Sequence, residues 1–574
     1  MTYLKTKKRL RYAVPAALAL FAVACAKAPG IDAHQTGNLS NKSRLLASPV
    51  GDVVGKTIVG YQGWFAAAGD GQPGGKNWWW HWTENWNALP SNNDKALWAW
   101  PDVRDYDKTY QTGYPALNNG NPAKLYSCVD QQTVTMQFQW MQENGIDGAA
   151  LQRFNPTGEE GPLRDRAAQN VRTAAEATGR KFYIMYDATD WVNMQMEMKN
   201  DWTSKMKGFT SSNAYARQNG KPVVAIWGFG YDDNHHPWTA AVCLDVVNWF
   251  KAQGCYVIGG VPREWRFASG DRASFANVYK AFDMLSPWLV GAVNNVGDAD
   301  RIYNDFIVGD AAYCKANQID YQPCVLPGGL GQRAHGDLMW RMFYNAIRAG
   351  SQGLYISMYD EYNEGNQIAK TAPTKAWLPA GSRYEALDND GVFCTSDYYL
   401  RLTRDGNRML KGMIPLTALR PTIPGIDYIE TCDQLTGWSS ANALSVVTNG
   451  RKQGDGFLRS TGSGTDDFSK VITPALNSGA TPATGRLQFW YYVSDVTRLS
   501  GEDQIEIGSG GGPDRDEYSW SIGPLTNGWN LISKPLSAAV RTGNPNLNAI
   551  NWLRVYHYKN GSVTTGLDGI QIIP

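Results

Sequence analysis

The sequence predicts a (β/α)8 barrel followed by a C-terminal antiparallel β-sandwich of the jelly-roll kind. Eight short β-rich runs alternate with helical patterns along residues 51–420, and a Pro/Gly-rich stretch, Arg420-Pro-Thr-Ile-Pro-Gly425, ends this part. After it come short alternating runs separated by Gly, Asn, Asp and Ser. Strands that alternate with helices are typical of a parallel barrel, and closely spaced short strands are typical of a sandwich. The 574 residues also exceed one ordinary domain.

The predicted barrel strands are nearly continuous apolar runs, as strands of a parallel sheet are when helices cover both faces. They are residues 57–65, 145–154, 181–190, 221–230, 255–265, 285–294, 320–330 and 353–361. Helices are predicted at residues 129–144, 165–178, 238–253, 271–285 and 335–349. The first connection, residues 66–128, is long and rich in Trp, and we expect it to form a lid or wall over one end of the barrel.

The N-terminus has the pattern of an export signal. Lys5-Thr-Lys-Lys-Arg-Leu-Arg11 is basic, and an apolar run of signal-peptide length follows at residues 12–24. Phe21-Ala-Val-Ala-Cys25 resembles a bacterial lipobox, while Ala26-Lys-Ala28 offers an ordinary cleavage site instead. The sequence therefore predicts an exported protein, either a lipoprotein of the bacterial cell envelope (periplasmic or on the outer surface) or a secreted protein.

These patterns predict four parts of the chain. Residues 1–28 are expected to be a signal peptide, with Cys25 as the residue that a lipoprotein signal would use, and residues 29–50 a tether. Residues 51–420 are expected to form the catalytic barrel. Residues 427–574 are expected to form a β-sandwich that resembles carbohydrate-binding modules.

The charge balance limits the classes of partner that the protein is expected to bind. Lys and Arg number 54 and Asp and Glu 53, so the net charge of +1 gives no general attraction to nucleic acid or to an anionic membrane. The 23 Trp and 29 Tyr suit stacking on sugar rings, although burial in a large barrel and a sandwich accounts for them equally well. We expect a carbohydrate partner, a monomer, no nucleic acid, and membrane contact only through an N-terminal lipid anchor.

No metal or organic cofactor is expected. The sequence has no Cys-x-x-Cys, and His235-His236 lacks companion ligands at the spacing of a zinc site. Seven cysteines follow Cys25, and two pairs are close enough in sequence for local disulfides, Cys243 with Cys255 and Cys314 with Cys324.

Polar and aromatic residues gather at the predicted C-terminal ends of the barrel strands, where the reactive side chains of such barrels lie. Carboxylates, amides, an Arg and Trp side chains are what a sugar-binding cleft needs. The candidate substrate-binding residues are Tyr61, Gln62, Trp64, Gln152, Arg153, Asp187, Trp227, Arg263, Glu264 and Tyr359. For Arg263 and Glu264 an ion pair with one another is the alternative.

Two carboxylates, Glu361 and Glu364, stand at the end of the eighth predicted strand, in Tyr359-Asp-Glu-Tyr-Asn-Glu-Gly365. Hydrolysis of a glycosidic bond needs one carboxylic acid to protonate the leaving oxygen and a second carboxylate to act as base or nucleophile. If Glu361 ends the strand and Glu364 begins the turn, both face the cleft, and their proximity separates their pKa values. A solvated acidic turn is the alternative. The neighbouring Asp360 either tunes Glu361 or points the other way.

The segment Met358-Tyr-Asp-Glu-Tyr-Asn-Glu-Gly-Asn-Gln-Ile368 resembles the carboxylate motif of glycoside hydrolase family 99 and of the looser bacterial 71/99-like group. Gly60-Tyr-Gln-Gly-Trp-Phe65 is similar to the first barrel strand of that group. The resemblance covers roughly residues 50–420, with these two segments as its specific parts. It does not extend to the Trp-rich loop from Trp78 to Trp100.

The resemblance implies a retaining endo-α-mannosidase or endo-α-mannanase on a (β/α)8 barrel. In that family the first Glu of a Glu-x-x-Glu pair assists the sugar 2-hydroxyl in attacking the anomeric carbon, through a 1,2-anhydro intermediate. The second Glu is the general acid and then the base. The resemblance therefore implies the first role for Glu361 and the second for Glu364. The family usually has Trp and His between the two carboxylates, where this chain has Tyr362 and Asn363.

Together these patterns predict an exported glycoside hydrolase that cleaves a polysaccharide or glycan, at an α-linkage. Two alternatives stay open. One is a non-catalytic carbohydrate-binding lipoprotein in which the barrel serves as a lectin. The other is a barrel glycosidase of different specificity, such as an α-glucanase or an enzyme of the xylosidase/arabinosidase type.

Overall fold

The computed structural model describes residues 48–573, apart from residues 119, 393, 423, 425–427, 453–455, 479 and 484. The predicted signal peptide with Cys25 lies outside the described residues, as does the predicted tether up to residue 47. Within the described ranges, no helix has the length and apolar character needed to cross a membrane.

The eight predicted barrel strands are confirmed. They are β1 (Thr57–Tyr61), β2 (Gly148–Arg153), β3 (Lys181–Asp187), β4 (Lys221–Trp227), β5 (Tyr256–Val261), β6 (Met284–Pro287), β7 (two segments, Asp320–Tyr321 and Cys324–Val325) and β8 (Leu354–Ile356). Consecutive strands from β1 to β6 pair in parallel. The first segment of β7 pairs with β6 and the second with β8, and β8 pairs with β1. The sheet therefore closes into a barrel.

Helices pack around the outside of the barrel. They are α1 (Gln131–Glu143), α2 (Gly161–Thr178), α3 (Met194–Ser204), α4 (Ala240–Ala252), α5 (Ala276–Ala281), α6 (Val296–Ile302, continued through a π-turn at Tyr303–Ile307 and Val308–Ala316), α7 (Asp337–Arg348) and α8 (Tyr398–Leu410). All five predicted helices are present. The one expected at residues 271–285 is shorter, because a 3-10 turn forms at Gly270–Phe275 and β6 begins at Met284.

The Trp-rich connection after β1 is a packed wall with its own core. Trp79, Trp80 and Trp82 are buried, and the indole N–H of Trp82 donates to the carbonyl O of Tyr126 at 2.9 Å. The connection also pairs with the segment after β8, where the backbone N–H of Trp98 and of Ala99 donate to the carbonyl O of Tyr362. The predicted wall therefore stands at the C-terminal end of the barrel, against the Glu361–Glu364 segment.

The predicted β-sandwich is present in residues 428–573. Its strands are β9 (Tyr428–Glu430), β10 (Trp438–Ser439), β11 (Leu444–Val447), β12 (Phe457–Leu476), β13 (Arg486–Val493), β14 (Leu499–Gly508), β15 (Glu517–Trp520), β16 (Gly528–Pro535), β17 (Val540–Thr542) and β18 (Ile550–Ile573). All the pairings between them are antiparallel.

Two long strands, β12 and β18, take part in both layers of the sandwich. In one layer the order is β16, β13, β18, β12, β11, and in the other it is β10, β12, β18, β14, β15, β17. The register between β12 and β18 shifts between Gly462 and Gly464, where the strands pass from one layer to the other. Alternate residues of β13, from Leu487 to Val493, are buried in the core between the layers.

The two candidate local disulfides do not form. Cys243 and Cys255, like Cys314 and Cys324, are buried free thiols in the barrel region. Burial raises the pKa of the Cys243 and Cys255 thiols to about 12, so both remain protonated at neutral pH. These cysteines act as small apolar core residues.

Candidate active site

The turn after β8 holds Glu361 inside the barrel rim. Its side chain is buried, and each carboxylate oxygen accepts a hydrogen bond from an amide: Gln62 Nε2 donates to Oε1 at 3.0 Å and Asn366 Nδ2 to Oε2 at 3.3 Å. The backbone N–H groups of Glu364 and Asn366 both donate to the carbonyl O of Glu361 at 3.2 Å. This tight turn fixes the orientation of the carboxylate.

Glu361 and Glu364 have contrasting surroundings. Burial raises the pKa of the Glu361 carboxyl well above its usual range, and the negative charge of Glu364 raises it further, while the hydrogen bonds from Asn366 and Gln62 lower it. Glu364 is exposed. The negative charge of one carboxylate disfavours ionisation of a neighbouring carboxyl. The pair can supply both an acid and a base.

Asp360 directs its carboxylate at the loop after β1, and its negative charge also raises the pKa of Glu361, so it both tunes Glu361 and contacts a different segment. Its carboxylate oxygens accept the backbone N–H of Gln62 at 2.8 Å and of Gly63 at 2.7 Å. Burial raises the pKa of the Asp360 carboxyl to about 6. Asp360 thereby ties the loop after β1 to the turn after β8, and so positions the Gln62 amide beside Glu361.

A pocket of about 330 Å³ opens beside Glu364. Its walls come from three parts of the chain: the Trp-rich connection supplies Trp98, the loop before α7 supplies Leu330 and Gln332, and the segment after the carboxylate turn supplies Arg383 and Glu385. The volume is at the lower end of the range for small-molecule sites. A carboxylate, an aromatic ring and several hydrogen-bonding groups therefore face one space.

Several of the predicted substrate-binding residues also lie at the mouth of the barrel. Gln152 and Asp187 end strands and are buried there, and Trp227 lines the narrow opening inside the barrel. Trp64 stacks on His81, with ring centroids 3.7 Å apart, and on Phe154 at 5.2 Å. The Oε1 atom of Gln152 and the indole nitrogens of Trp64 and Trp227 are buried without hydrogen-bond partners in the described structure. Such groups are suited to binding a polar ligand.

Other predicted residues point the wrong way for the cleft. Tyr61 donates to Oε1 of Gln137 on α1, and Tyr359 donates to the carbonyl O of the same residue. Arg153 makes two hydrogen bonds to Asp201 and one to Asp165, all of 2.6–2.8 Å. These three side chains lie between the barrel wall and the surrounding helices, so the structure does not bring them to the Glu361 and Glu364 carboxylates.

Strand geometry explains these misplacements. Successive side chains of a strand point to opposite faces, so only one of two neighbouring residues can point into the barrel. Gln62 and Gln152 point inward, so their neighbours Tyr61 and Arg153 must point outward. Arg263 and Glu264, after β5, form an ion pair with each other, and the Arg263 guanidinium lies over the Phe306 ring at 5.1 Å. Arg263 and Glu264 therefore contact each other rather than the Glu361 and Glu364 carboxylates.

The structure adds residues that the sequence analysis did not identify. Asn366 holds Glu361, and Trp98 lines the Glu364 pocket. Tyr355 lies inside the barrel, where the charges of Glu361 and Asp187 contribute to raising its pKa, after burial. Asn366 follows the motif directly and was within reach of a sequence argument, because a buried carboxylate needs donors nearby. The position of Trp98 depends on how a long loop folds, for which the sequence has no periodic signal.

We expect Arg153→Met to destabilise the protein by about 3–5 kcal/mol, because it leaves the buried Asp201 carboxylate without its partner. The side chains of Arg153 and Asp201 are 1% and 4% exposed. Urea unfolding of the full chain measures the change. Arg172→Met is the matched control, since the Arg172–Glu176 pair lies on the surface of α2 and contributes at most about 0.5 kcal/mol. Unchanged stability with a loss of glycan binding would instead return Arg153 to the substrate site.

No metal site is apparent in the described part of the chain, where no group of three or more His, Cys, Asp or Glu side chains is arranged to hold an ion. His236, near the barrel mouth, donates from Nδ1 to the Asp233 carboxylate at 2.7 Å, and its Nε2 forms a hydrogen bond with the Thr189 hydroxyl at 3.1 Å. His235 pairs with Asp190 at 2.8 Å. These two histidines thus bind neighbouring side chains.

Comparison with known proteins gives distant similarities in structure alone. No protein-family model matches the sequence, and no curated protein matches it. A GH99 endo-alpha-mannosidase from Bacteroides thetaiotaomicron aligns with a TM-score of 0.46 and 15% identity, over 63% of this chain and 98% of that chain. A family 11 carbohydrate-binding module of a Clostridium thermocellum cellulase aligns with a TM-score of 0.20 and 16% identity, over 26% and 92% of the two chains. A family 30 module from the same organism aligns with a TM-score of 0.20 and 14% identity, over 24% and 91%.

Proposed function

We propose that this protein is a glycoside hydrolase that acts on a polysaccharide or glycan, with Glu361 and Glu364 as its catalytic carboxylates. One observation carries the proposal: a buried carboxylate of raised pKa, held by two amides, stands beside an exposed carboxylate that lines a pocket at the C-terminal end of a barrel. Acid–base cleavage of a glycosidic bond needs such a pair. A solvated acidic turn does not need a buried Glu361 with two amide donors.

The surroundings of the two carboxylates support different roles. Glu361 accepts fixed hydrogen bonds on both oxygens, which hold its carboxylate in one orientation and offset part of the rise in pKa that burial causes; the base role for it is supported by the sequence resemblance. Glu364 faces the pocket, where the leaving group of a bound glycan has room, and this suits the general acid. After the first step Glu364 is ionised and can take the proton of the attacking water.

We propose an α-linked substrate, with α-mannan as the first candidate. Support comes from the sequence resemblance of the Glu-x-x-Glu segment to family 99. In the mechanism that this resemblance implies, Glu361 takes the proton of the sugar 2-hydroxyl as its oxygen bonds to the anomeric carbon, while Glu364 protonates the departing oxygen. Water then opens the 1,2-anhydro sugar, giving its proton to Glu364, and Glu361 returns its proton to the 2-hydroxyl. The product keeps its anomeric configuration.

A panel digestion tests the activity. Purified protein is incubated with α-mannan, α-glucan and arabinoxylan, and new reducing ends and the anomeric configuration of the first product are followed by NMR. We expect cleavage of α-mannan with retention. Cleavage of α-glucan or arabinoxylan alone would assign the alternative barrel specificities. Binding to a glycan without release of reducing ends from any of them would support the lectin and contradict a hydrolase.

A pH profile tests the base. We expect Gln62→Leu to shift the acidic limb of kcat/KM upward by about 0.5–1 pH unit, because loss of the Gln62 donor raises the pKa of Glu361 and so protonates it at higher pH. Gln169→Leu, an exposed position on α2, is the control and should leave the limb in place. An acidic limb that is unchanged in Gln62→Leu would show that it does not report Glu361.

We further propose that the protein works outside the cytoplasm, as a lipoprotein or a secreted enzyme. Support comes from the basic and apolar pattern of the N-terminal segment and from the lipobox-like Cys25. Metabolic labelling with a fatty acid tests the anchor. We expect the wild type to be labelled and Cys25→Ala not to be, because the lipid would be attached to that cysteine. Release of unlabelled protein into the medium would favour secretion instead.

A further inference from the structure

Trp98 differs from its neighbours in the Trp-rich connection. Its side chain is 61% exposed, whereas Trp79, Trp80, Trp82 and Trp100 are all buried. It lines the same pocket as Glu364. An exposed indole costs the protein favourable burial, and a large apolar surface facing a polar pocket is the kind of surface on which a sugar ring stacks.

Trp98 is fixed to the turn that carries the two carboxylates. Its backbone N–H donates to the carbonyl O of Tyr362, between Glu361 and Glu364, at 2.9 Å. Gly365 lies directly against it: a Cβ at Gly365 would come within 3.2 Å of the Trp98 Cβ, and Gly365 also has a φ of +72°. The backbone and Cβ of Trp98 therefore keep a set position relative to the turn that carries Glu364.

Arg383 holds the loop before Trp98 in place and lies beside the Trp98 ring. Its Nη2 donates to the carbonyl oxygens of Lys95 and Leu97, both at 2.7 Å, which secures the loop just before Trp98. The guanidinium lies 5.1 Å from the centroid of the Trp98 ring. With Arg383 at one face of a ring that remains 61% exposed, the other face is open to a ligand.

We propose that Trp98 is the platform for the sugar on the leaving-group side of the scissile bond. The inference rests on the proposed hydrolase function and assigns a substrate position to it. The general acid must lie within hydrogen-bond reach of the leaving oxygen, so the sugar attached to that oxygen lies on the Glu364 side of the pair. Trp98 occupies that side, with Leu330 and Gln332 on another wall of the same pocket. Binding energy from this sugar then lowers the barrier at the neighbouring bond.

Two substrates that differ only beyond the scissile bond test this. A linear α-mannotetraose places a sugar on the leaving-group side, whereas α-mannobiosyl fluoride has only a fluoride there. We expect Trp98→Ala to lower kcat/KM for the tetraose by about 30-fold and to leave that for the fluoride within about twofold. Trp98→Phe keeps a stacking ring and should restore most of the activity on the tetraose.

Trp529→Ala is the matched control, since Trp529 is a partly buried indole of the sandwich that packs on Phe457, and it should change neither value. Equal losses on the two substrates in Trp98→Ala would overturn the proposal and make Trp98 a support of the catalytic turn. Full activity of Trp98→Ala on the tetraose would also overturn it. A wild-type protein that cleaves neither substrate would contradict the α-mannosidic hydrolase function itself, and the Trp98 position with it.

Discussion

Glu361→Gln is expected to lower kcat/KM on an α-linked oligosaccharide by about 10³-fold or more, because it removes the base while keeping the shape of the side chain. The same change should not weaken the fold. Burial raises the pKa of Glu361, so the ionised carboxyl costs folding free energy that the neutral amide does not. Glu361→Gln should therefore lose activity without losing stability.

The difference in stability between Glu361→Gln and the wild type should depend on pH. A carboxyl whose pKa is raised by folding stabilises the folded state below its unfolded pKa, and that contribution is lost as the pH rises through the folded pKa. Thermal unfolding at pH 4 and pH 8 should thus show Glu361→Gln gaining stability relative to the wild type at the higher pH. A variant that is both active and less stable at pH 8 would contradict the base role and the buried charge together.

Glu364→Gln is expected to lower kcat/KM on oligosaccharides by about 10²–10⁴-fold, because the departing sugar oxygen then leaves without a proton. With α-mannobiosyl fluoride the loss should be no more than about tenfold, since fluoride departs without protonation. Glu361→Gln, in contrast, should lose activity on both substrates. Steady-state rates on the two substrates measure this difference.

The comparison of the two variants also assigns the roles. If Glu364→Gln were inactive on the fluoride while Glu361→Gln retained that activity, the acid and base would be the reverse of the assignment made here. Glu176→Gln is a suitable control for the loss of a carboxylate, because Glu176 pairs with Arg172 on the exposed surface of α2. It should leave both rates close to those of the wild type.

The barrel could be predicted from the sequence because its strands are apolar throughout and its helices are amphipathic. Both signals are local, and all eight strands and five of the eight helices described above were predicted; the strand starts lie within three residues of the observed ones, but the predicted strand ends are up to seven residues too late. The interruption of β7 at Gln322 and Pro323 could not be predicted, since it depends on how the two segments meet different neighbours, β6 and β8. The sandwich was predicted as a class, but not the two strands that cross both layers.

The candidate site was predicted in part. Gln62 was found because it directly follows β1, and Glu361 and Glu364 because they were expected at the end of β8, where barrel sites form; β8 in fact ends at Ile356, and both carboxylates lie in the turn beyond it. Tyr61, Arg153 and Tyr359 were included for the same reason, although the alternation of side chains sends Tyr61 and Arg153 to the outer face of the barrel and Tyr359, in the turn after β8, donates to the Gln137 carbonyl O. Strand-end position alone therefore overpredicts. The direction of each side chain, set by the inward partner next to it, was needed to sort the residues.

Trp98 could not be found from the sequence, because seven tryptophans and a histidine crowd residues 78–100 with no repeating pattern. Which of them is exposed depends on contacts made far along the chain, with Tyr362, Gly365 and Arg383. The same holds for Asp360, whose partners are backbone N–H groups after β1. Interactions of this range are fixed by tertiary packing.

The central claim is that Glu361 and Glu364 together cleave a glycosidic bond. The most direct measurement compares the release of reducing ends from α-mannan by the wild type and by the double variant Glu361→Gln/Glu364→Gln, at equal concentration and with matching circular dichroism spectra. We expect steady release by the wild type and none above background by the double variant. Equal release by the two proteins would contradict the claim, and so would the absence of release by a folded wild type.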